Sequence, residues 1–226
     1  MNYQKIFVVG ANGRVGRRVI NHLIDKGHDV IAGTRTVNKV INNKHVTAMA
    51  FNIVKDEISD LAKQMSGADA VIFTAGSHGK QLLRVDAFGA VKVMLAAQQA
   101  HITRFVMLSS AFALEPNHWH DPGFLRSDEN GADDLTDFNI AKFFADNYLI
   151  HNTRMAYTIL QPGFLTDDPA TGKITTHVDI TGVNSINSID DVAETLAMII
   201  DMPNTINKVI KITTGTTPIN DALKRI

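Results

Sequence analysis

Residues 5–16 read KIFVVGANGRVG: a short apolar run ends in three glycines spaced G-x-x-G-x-x-G, and a helical pattern follows at once. Gly10 permits a tight turn, Gly13 lets the backbone approach phosphate oxygens, and Gly16 lets the helix pack closely on the strand. The unpaired N–H groups at the start of such a helix attract an anion. The stretch therefore predicts a strand–loop–helix unit that binds the pyrophosphate of a dinucleotide.

Length and composition limit the possible classes of protein. The chain has 226 residues, 45% of them hydrophobic and 20% charged, which fits one soluble globular domain better than two. A formal net charge of -1 predicts neither nucleic acid nor a membrane surface as a partner. The absence of cysteine excludes disulfides, thiolate nucleophiles and cysteine metal ligands. No signal peptide or membrane-spanning run is recognised, so we expect a cytoplasmic location.

Short apolar runs alternate with helical patterns over the first two thirds of the chain. Buried strands that alternate with amphipathic helices predict right-handed crossovers and a parallel sheet covered on both faces. We therefore expect an α/β fold with a Rossmann-like, doubly wound parallel sheet. The predicted strands lie at about 5–9, 29–33, 46–51, 70–75, 104–109 and 156–160, and the predicted helices at about 14–26, 55–66, 80–100 and 134–152.

The pattern changes from about Phe164 onward. This part is too small for an independent domain, and no linker rich in Pro, Gly or Ser precedes it. We expect a single domain, 1–226, in which residues 164–226 form a small extension that completes the sheet and covers the substrate cleft. Ser188 is placed to cap the helix of this extension. Its predicted elements are a strand at 173–180, a helix at 191–202 and a strand at 209–213.

The end of the second predicted strand bears on the choice of nucleotide. NAD sites of this fold usually place Asp or Glu there to hold the ribose hydroxyls, and a carboxylate would repel a 2′-phosphate. No acid occurs from Val30 through Phe51, whereas Arg35 follows the strand directly and Lys39 is a possible second cation. A single arginine can also be an ordinary solvated loop residue. The missing acid and the present arginine together favour NADP(H) over NAD(H).

The chain resembles the atypical short-chain dehydrogenases/reductases, in the NAD(P)-binding branch that includes NmrA-like and biliverdin-reductase-B-like proteins. The matching pieces span nearly the whole chain in the family's order, and as a set they are specific. They are GANGRVG, Arg35, FTAGS, RFVMLSS, AKFFADNYL, YTILQPGFLTDDPATGKI and SIDDVAETL.

This resemblance implies a site for an intact dinucleotide. It places Asn52 and Ile53 beside the adenine, residues 75–77 along the middle of the cofactor, Lys142 at the nicotinamide ribose and residues 162–165 at the nicotinamide. Arg14 is expected to lie over the adenine or to meet phosphate. The predicted cofactor-binding residues are Gly10, Asn12, Gly13, Arg14, Val15, Gly16, Arg35, Asn52, Ile53, Ala75, Gly76, Ser77, Ser109, Lys142, Pro162, Gly163, Phe164 and Leu165.

One departure from the family pattern bears directly on catalysis. Classical members use Tyr-x-x-x-Lys with a serine, and the tyrosine donates or accepts a proton. In this chain the tyrosine position is Phe138, which has no proton to give. Lys142 remains, and Ser109 or Ser110 could donate a hydrogen bond; the one-residue register leaves open which serine faces the cofactor. These three residues are the catalytic candidates, although Lys142 is interpreted foremost as a ribose ligand.

Three histidines are candidates for the substrate pocket. His118 and His120 lie in the loop after the fifth predicted strand, and His78 lies beside the predicted cofactor crossing. Each can instead be a polar loop residue, and two histidines without a third ligand do not predict a metal site. The acids at 128–129 and 133–134 are interpreted as a solvated loop and a helix start.

Three functions are compatible with these features. The leading hypothesis is an NADPH-dependent oxidoreductase that transfers hydride to a small or flat acceptor such as a flavin or quinone, because this reaction needs the cofactor to be positioned more than it needs a dedicated acid. The alternative is a non-catalytic NADP sensor that passes its occupancy to a partner protein. An epimerase or dehydratase is the weaker alternative, since that chemistry also relies on the tyrosine. The substrate itself is not readable from the sequence.

Overall fold

The computed structural model describes residues 4–119, 126–128, 131–133, 136–176 and 185–226. The strands are β1 (Lys5–Val9), β2 (Asp29–Thr34), β3 (Val46–Ala50), β4 (Ala70–Phe73), β5 (Arg104–Leu108), β6 (Arg126–Asp128), β7 (Gly131–Asp133), β8 (Ala156–Pro162), β9 (Phe164–Thr166), β10 (Lys173–Thr175), β11 (Ile186–Ser188), β12 (Lys208–Thr214) and β13 (Thr217–Pro218). The helices are α1 (Arg14–Asp25), α2 (Ile58–Gln64), α3 (Phe88–Gln99), α4 (Thr136–Asn152), α5 (Ile189–Ile199) and α6 (Ile219–Lys224).

A nine-stranded sheet in the order β13-β10-β12-β8-β5-β4-β1-β2-β3 forms the centre of the molecule. The seven strands from β12 to β3 are parallel, and β10 and β13 extend the sheet in antiparallel fashion. The strand order reverses between β1 and β4, so a crevice opens there at the edge where the parallel strands have their carboxyl ends. We call this the carboxyl edge. The predicted Rossmann-like parallel sheet is confirmed.

Each face of the sheet carries its own hydrophobic core. Buried side chains of α1, α5 and α6 pack on one face, and those of α2, α3 and α4 pack on the other. Strands β1, β4 and β5 lie between the two layers and are apolar at nearly every position, as expected for parallel strands covered on both sides. The packed core therefore ends where the strands end, and the loops of the carboxyl edge extend beyond it.

Several predicted elements differ in their bounds from the observed ones. The helix expected at 80–100 is a π-helical segment, Leu82–Ala87, followed by α3. The helix expected at 191–202 is α5, which begins at Ile189, and Ser188 caps it, because its Oγ accepts the N–H of Asp190 at 3.3 Å. The strand expected at 173–180 is described as far as Thr175, and residues 177–180 lie outside the described residues. In the described part of the chain no helix is long and apolar enough to cross a membrane.

Candidate functional site

The loop between β1 and α1 is built from glycines because the backbone leaves no room for side chains. Gly10 has a φ of +83°, and a Cβ on it would lie 2.8 Å from the backbone nitrogen of Ala75. A Cβ on Gly16 would overlap the carbonyl oxygen of Gly10. Gly13 donates its N–H to that same oxygen at 2.8 Å, which closes the turn. The loop after β4 thus lies directly against the glycine loop.

The first turn of α1 faces the crevice without a side-chain cap. Gly13 stands at the N-cap position in an extended conformation, and it has no side chain that could occupy the N–H groups of the turn. Val15 is buried and anchors this turn in the core. Uncapped N–H groups at a helix start are a ready site for a pyrophosphate.

The far end of the loop is fastened to the end of β2. Asn12 donates from Nδ2 to Thr34 Oγ1 at 2.8 Å and to the carbonyl oxygen of Thr36 at 2.7 Å. Arg35 stands between these two acceptors and is exposed, and among the described residues no carboxylate forms an ion pair with it. Lys39 is exposed nearby in sequence. The end of β2 therefore presents positive charge where an NAD site of this fold presents a carboxylate.

The segment after β3 closes on itself and on α3. Asn52 Oδ1 accepts the N–H groups of Val54 and Lys55, both at 3.2 Å, and its own N–H donates to Asp56 Oδ2 at 2.8 Å. Ile53 is buried, and its side chain lies against Gly89 of α3. Both residues stand at the carboxyl edge beside β2. The side-chain oxygen and the main-chain N–H of Asn52 are used in these hydrogen bonds, which shape the turn. A nucleotide base would therefore contact the outer surface of the turn.

Arg14 has a partner that the sequence did not indicate. Its Nη2 lies 2.5 Å from Asp167 Oδ2, in the segment just after β9, and Arg18 lies 3.9 Å from the same carboxylate. The guanidinium thus ties the start of α1 to the segment after β9. That Arg14 also lies over the adenine or meets phosphate stays a prediction.

Behind the crevice lies a buried polar group that we call the Asp146 cluster; it comprises Ser109, Lys142, Asp146 and Gln161. Ser109 Oγ donates to Asp146 Oδ2 at 2.6 Å, and Gln161 Nε2 donates to the same oxygen at 3.2 Å. Asp146 and Gln161 are fully buried, and Ser109 and Lys142 nearly so. Its members come from the end of β5, from two turns of α4 and from β8, so only the tertiary fold brings them together.

Burial changes the acidity of this cluster. It raises the pKa of Asp146 from 3.8 to about 6, because a charged carboxylate is poorly solvated inside the protein. The hydrogen bond from Ser109, the positive charge of Lys142 and the hydrogen bond from Gln161 lower this pKa and offset part of the effect of burial. Burial therefore makes Asp146 easier to protonate than an exposed aspartate.

Lys142 links the cluster to the loop after β4. Its Nζ lies 3.3 Å from the carbonyl oxygen of Leu108 at the end of β5 and 3.9 Å from Asp86 Oδ1 in the π-helical segment. Asp86 is fully buried and accepts the N–H of Ser77 at 3.1 Å. The structure thus brings together three predicted residues, Ser77, Ser109 and Lys142. Phe138 also belongs here, since its ring centroid lies 5.6 Å from Lys142 Nζ.

The structure distinguishes the two serines after β5. The Ser109 side chain is buried and points toward α4, where it meets Asp146. Ser110 is half-buried, and its carbonyl oxygen accepts the N–H of Ala113 at 3.1 Å. Ser109 is therefore the serine that belongs to the Asp146 cluster.

Residues 162–165 follow β8 along the carboxyl edge. Pro162 accepts the N–H of Ala111 at 2.9 Å, which joins this strand to the loop that carries Ser109 and Ser110. Gly163 donates to Asn187 Oδ1 at 2.9 Å, and a Cβ on it would overlap the carbonyl oxygen of Ser185. Phe164 and Leu165 then pair with β11 in a small parallel sheet. These contacts form a wall at the end of β8, next to the Asp146 cluster.

The candidate pocket histidines occupy different surroundings. His78 is exposed beside Ser77 and has a φ of +51°. The His118 ring packs on Phe112 of its own loop, with 5.9 Å between ring centroids. His120 lies outside the described residues, as do Glu129 and Asp134 of the acidic run, and residues 128 and 133 fall in the antiparallel pair β6–β7. Among the described residues, no group of three histidines or acids could hold a metal ion.

Comparison with known proteins agrees with this geometry. The model of a family described as NAD(P)H-binding matches residues 10–203. The chain belongs to this NAD(P)H-binding family. The crystal structure of the oxidoreductase ylbE from Lactococcus lactis is 41% identical, covers 99% of this chain and 96% of that one, and superposes with a TM-score of 0.90.

Two further relatives match along their whole length. A Bacillus subtilis protein named "Uncharacterized sugar epimerase YhfK" is 32% identical over 98% of this chain and 100% of its own. The Saccharomyces cerevisiae protein named "UPF0659 protein YMR090W" is 32% identical over 100% of both chains. The resemblance to atypical short-chain dehydrogenases/reductases is thereby confirmed at the level of the family.

The site of this NAD(P)H-binding protein fits a dinucleotide on two structural grounds. A Cβ on Gly10 or Gly16 would clash with neighbouring backbone, so the loop keeps a bare backbone surface beside an uncapped helix start. Buried polar atoms without a hydrogen-bond partner are rare in folded proteins. Seven such side-chain atoms occur among the described residues, and six belong to residues of the carboxyl edge or of α4. These six are Asn12 Oδ1, Ser77 Oγ, Asn139 Nδ2, Asp146 Oδ1, Gln161 Oε1 and Asn187 Nδ2.

The acids Asp86 and Asp146 and the amide of Gln161 were not predicted from the sequence. Asp86 stands between Val85 and Ala87, and Asp146 follows the apolar residues of α4 four positions after Lys142. A lysine and an acid at i and i+4 share one helix face, so an acid embedded in this way could have been identified. Gln161 gave a weaker signal, as a lone amide within an apolar strand.

Proposed function

We propose that this protein is an NADPH-dependent reductase that transfers hydride to a small or flat acceptor, such as a flavin or a quinone. The observation that carries the proposal is Phe138. The family's proton donor is missing there, while the buried Ser109 and Lys142 beside it are kept and held in place. A conjugated acceptor spreads the incoming charge, so its reduction depends more on alignment with the cofactor than on a strong acid.

The preference for NADPH rests on the end of β2. We assign Arg35 to the 2′-phosphate, because a guanidinium binds phosphate in a bidentate manner and this one is exposed beside the anchored glycine loop. We assign the pyrophosphate to the glycine loop and the first turn of α1, and the adenine to the turn at Asn52 and Ile53.

We assign the nicotinamide half of the cofactor to the other side of the crevice between β1 and β4, where the strand order reverses. Residues 75–77 follow the middle of the cofactor, Lys142 holds the nicotinamide ribose, and residues 162–165 face the nicotinamide. The acceptor then lies between Ser109 and the extension formed by residues 164–226, with His78 and His118 as rim candidates. We assign the whole chain to one domain with this arrangement, and we expect it to act in the cytoplasm.

A non-catalytic NADP sensor is the second candidate, and a specific observation favours it. Leu83 and Phe88 are 73% and 59% exposed, and they flank the residues of the π-helical segment that contact the Ser77 loop. Exposed apolar side chains next to a ligand loop could report occupancy to a partner protein. Sugar epimerisation, which the name of the Bacillus subtilis relative suggests, is disfavoured by Phe138 because that chemistry uses the tyrosine.

Titration with NADPH and with NADH, followed by nicotinamide fluorescence, tests the cofactor assignment. We expect NADPH to bind more tightly than NADH, and R35A to weaken NADPH binding about 10- to 100-fold without affecting NADH. R154A is the matched control, because Arg154 is exposed at the opposite, amino edge of the sheet. NADPH consumption is then measured with FMN, naphthoquinones and sugar nucleotides. Tight binding without turnover would establish the sensor, and absence of binding would refute both candidates.

A further inference from the structure

We propose that the Asp146 carboxyl holds the proton that tyrosine supplies in classical short-chain dehydrogenases, and that Ser109 passes this proton to the acceptor. The inference rests on the proposed reductase function and names the proton source for it. Asp146 acts through Ser109 and does not itself touch the acceptor.

The hydrogen bonds of Asp146 are those of a group that alternates between two protonation states. Oδ2 accepts from Ser109 Oγ at 2.6 Å and from Gln161 Nε2 at 3.2 Å, which stabilises the carboxylate. Oδ1 is buried without a partner among the described residues. A buried charge with half of its acceptors unused is costly, and protonation removes that cost. The structure therefore supports both the charged and the neutral form.

Ser109 is the member of the Asp146–Ser109 pair that lies nearer to the carboxyl edge. It directly follows β5 at the carboxyl edge, next to Leu108, whose carbonyl oxygen contacts Lys142 Nζ. The wall at residues 162–165 adjoins it through the bond from Ala111 to Pro162. Ser109 carries the only hydroxyl of the Asp146 cluster, so it is the member that can both take a proton from Asp146 and donate one to the acceptor.

The proton and electron balance of the step is complete. Bound NADPH supplies a hydride and is oxidised to NADP⁺, and the acceptor is reduced by two electrons. The electron pair of the attacked double bond moves to the acceptor's oxygen or nitrogen. That atom takes the hydroxyl proton of Ser109, and Ser109 Oγ takes a proton from Asp146 Oδ2. The step leaves an Asp146 carboxylate, and solvent protonates it again after the product has left.

The charges around Asp146 are compatible with such a cycle. Lys142 lies on the same helix face, and its positive charge favours the carboxylate that the step leaves behind. Asp86 of the π-helical segment balances Lys142 at 3.9 Å. Ser109 and Gln161 are the facing groups from the end of β5 and from β8, and both are uncharged. Since burial raises the pKa of Asp146 to about 6, the proton is present in mildly acidic solution and lost above neutrality.

The pH dependence of NADPH oxidation by D146N tests the relay, with FMN and a water-soluble naphthoquinone as acceptors. For the wild type we expect kcat to fall as pH rises through about 6. For D146N we expect kcat at pH 5.5 to drop about tenfold and to lose this pH dependence, with the NADPH Kd unchanged. The drop stays below the roughly 10²–10⁴-fold of a strict general acid, because reduction of a conjugated acceptor depends mainly on alignment. S109A should show the same loss, and the double variant should be no worse than either single variant.

Two further measurements separate the possible failures. Infrared spectroscopy of the wild type should show the C=O band of a protonated carboxyl that disappears near pH 6 and is missing in D146N. D191N is the matched control, since Asp191 is also fully buried but bonds Thr171 and Gly172. We expect it to lower Tm and to keep the pH profile.

Each failure has its own signature. A D146N enzyme with the wild-type pH profile, or an S109A enzyme with unchanged kcat, would overturn the relay while the reductase function stands. A wild-type protein that oxidises no NADPH with any acceptor would overturn the reductase function itself. If D146N does not fold, S109A and the infrared titration decide the relay.

Discussion

The two ends of the site are built in different ways. The glycine loop presents backbone groups that lie within seven residues of one another, from Gly10 to Gly16. The Asp146 cluster instead joins side chains from β5, α4 and β8 that are up to 52 residues apart, from Ser109 to Gln161. Local geometry therefore encodes the first end, and packing of the whole sheet encodes the second. Substitutions should affect the two ends in correspondingly different ways.

Replacing Gly10 by alanine should have the largest effect. The new Cβ would lie 2.8 Å from Ala75 N in a left-handed conformation, so the two loops of the crossing must separate. We expect NADPH affinity to fall at least about 100-fold and unfolding free energy to fall by about 2–4 kcal/mol. G27A is the control, because Gly27 has a φ of +86° with nothing within 4 Å of its Cβ position.

That control separates backbone strain from close approach. G27A should cost only about 1 kcal/mol in urea unfolding and leave the NADPH Kd unchanged. Equal losses of NADPH affinity in both variants would mean that the loop contact has no special role in binding.

Asp146 should make stability depend on pH in a direction opposite to that of a salt-bridged acid. Its pKa is raised in the folded state to about 6 from 3.8, so the folded protein binds the proton more tightly than the unfolded chain. This contribution is present in full below pH 3.8 and is lost as pH rises through 6. Between pH 4.5 and 7.5 it amounts to about 2 kcal/mol.

The difference in unfolding free energy between wild type and D146N isolates the pH-dependent contribution of Asp146, because the contributions of the other titrating groups cancel. Urea unfolding at pH 4.5 and at pH 7.5 should show D146N gaining about 2 kcal/mol on the wild type as pH rises. The same offset between the two proteins at both pH values would show that Asp146 does not bind a proton in this range.

The sequence predicted the glycine loop and its flanking elements well. Strand, glycine loop and helix were all placed within a residue or two, because the glycine spacing and the apolar run constrain neighbouring backbone. Thr34 and Thr36 as acceptors for Asn12 were not predicted, since that contact depends on how β2 ends beside β1.

For the Asp146 cluster, the sequence predicted some of the residue types but not their contacts. Phe138, Lys142 and the two serines were identified as relevant, but the choice of Ser109 required the register of β5 against α4. The spacing of Asp146 four positions after Lys142 was visible in the sequence, but its contact with Gln161 and the burial that raises its pKa arise only in the fold. The Arg14–Asp167 pair spans 153 positions and has no sequence signal at all.

Restoring the tyrosine would sharpen the contrast between the two ends. F138Y places a phenol on the face of α4 where Lys142 Nζ lies 5.6 Å from the ring centroid. We expect the rate of NADPH-dependent reduction of a simple aldehyde to rise about tenfold. This is less than the roughly 10²–10⁴-fold contribution of an optimised general acid, because the surrounding side chains are not arranged to orient a tyrosine hydroxyl. F144Y is the control, since Phe144 lies on the same helix and is 59% exposed. A gain in F144Y alone would contradict the placement of the acceptor.

The smallest effect is expected for the surface ion pair that joins the start of α1 to the segment after β9. Asp167 is 67% exposed and Arg14 50%, so their ion pair is well solvated despite its short distance. D167A should change unfolding free energy by less than about 1 kcal/mol and the NADPH Kd by less than about threefold. Thermal unfolding and NADPH titration at low and high salt measure both quantities. A larger loss of affinity, removed by salt, would show that the pair holds the segment after β9 over the cofactor.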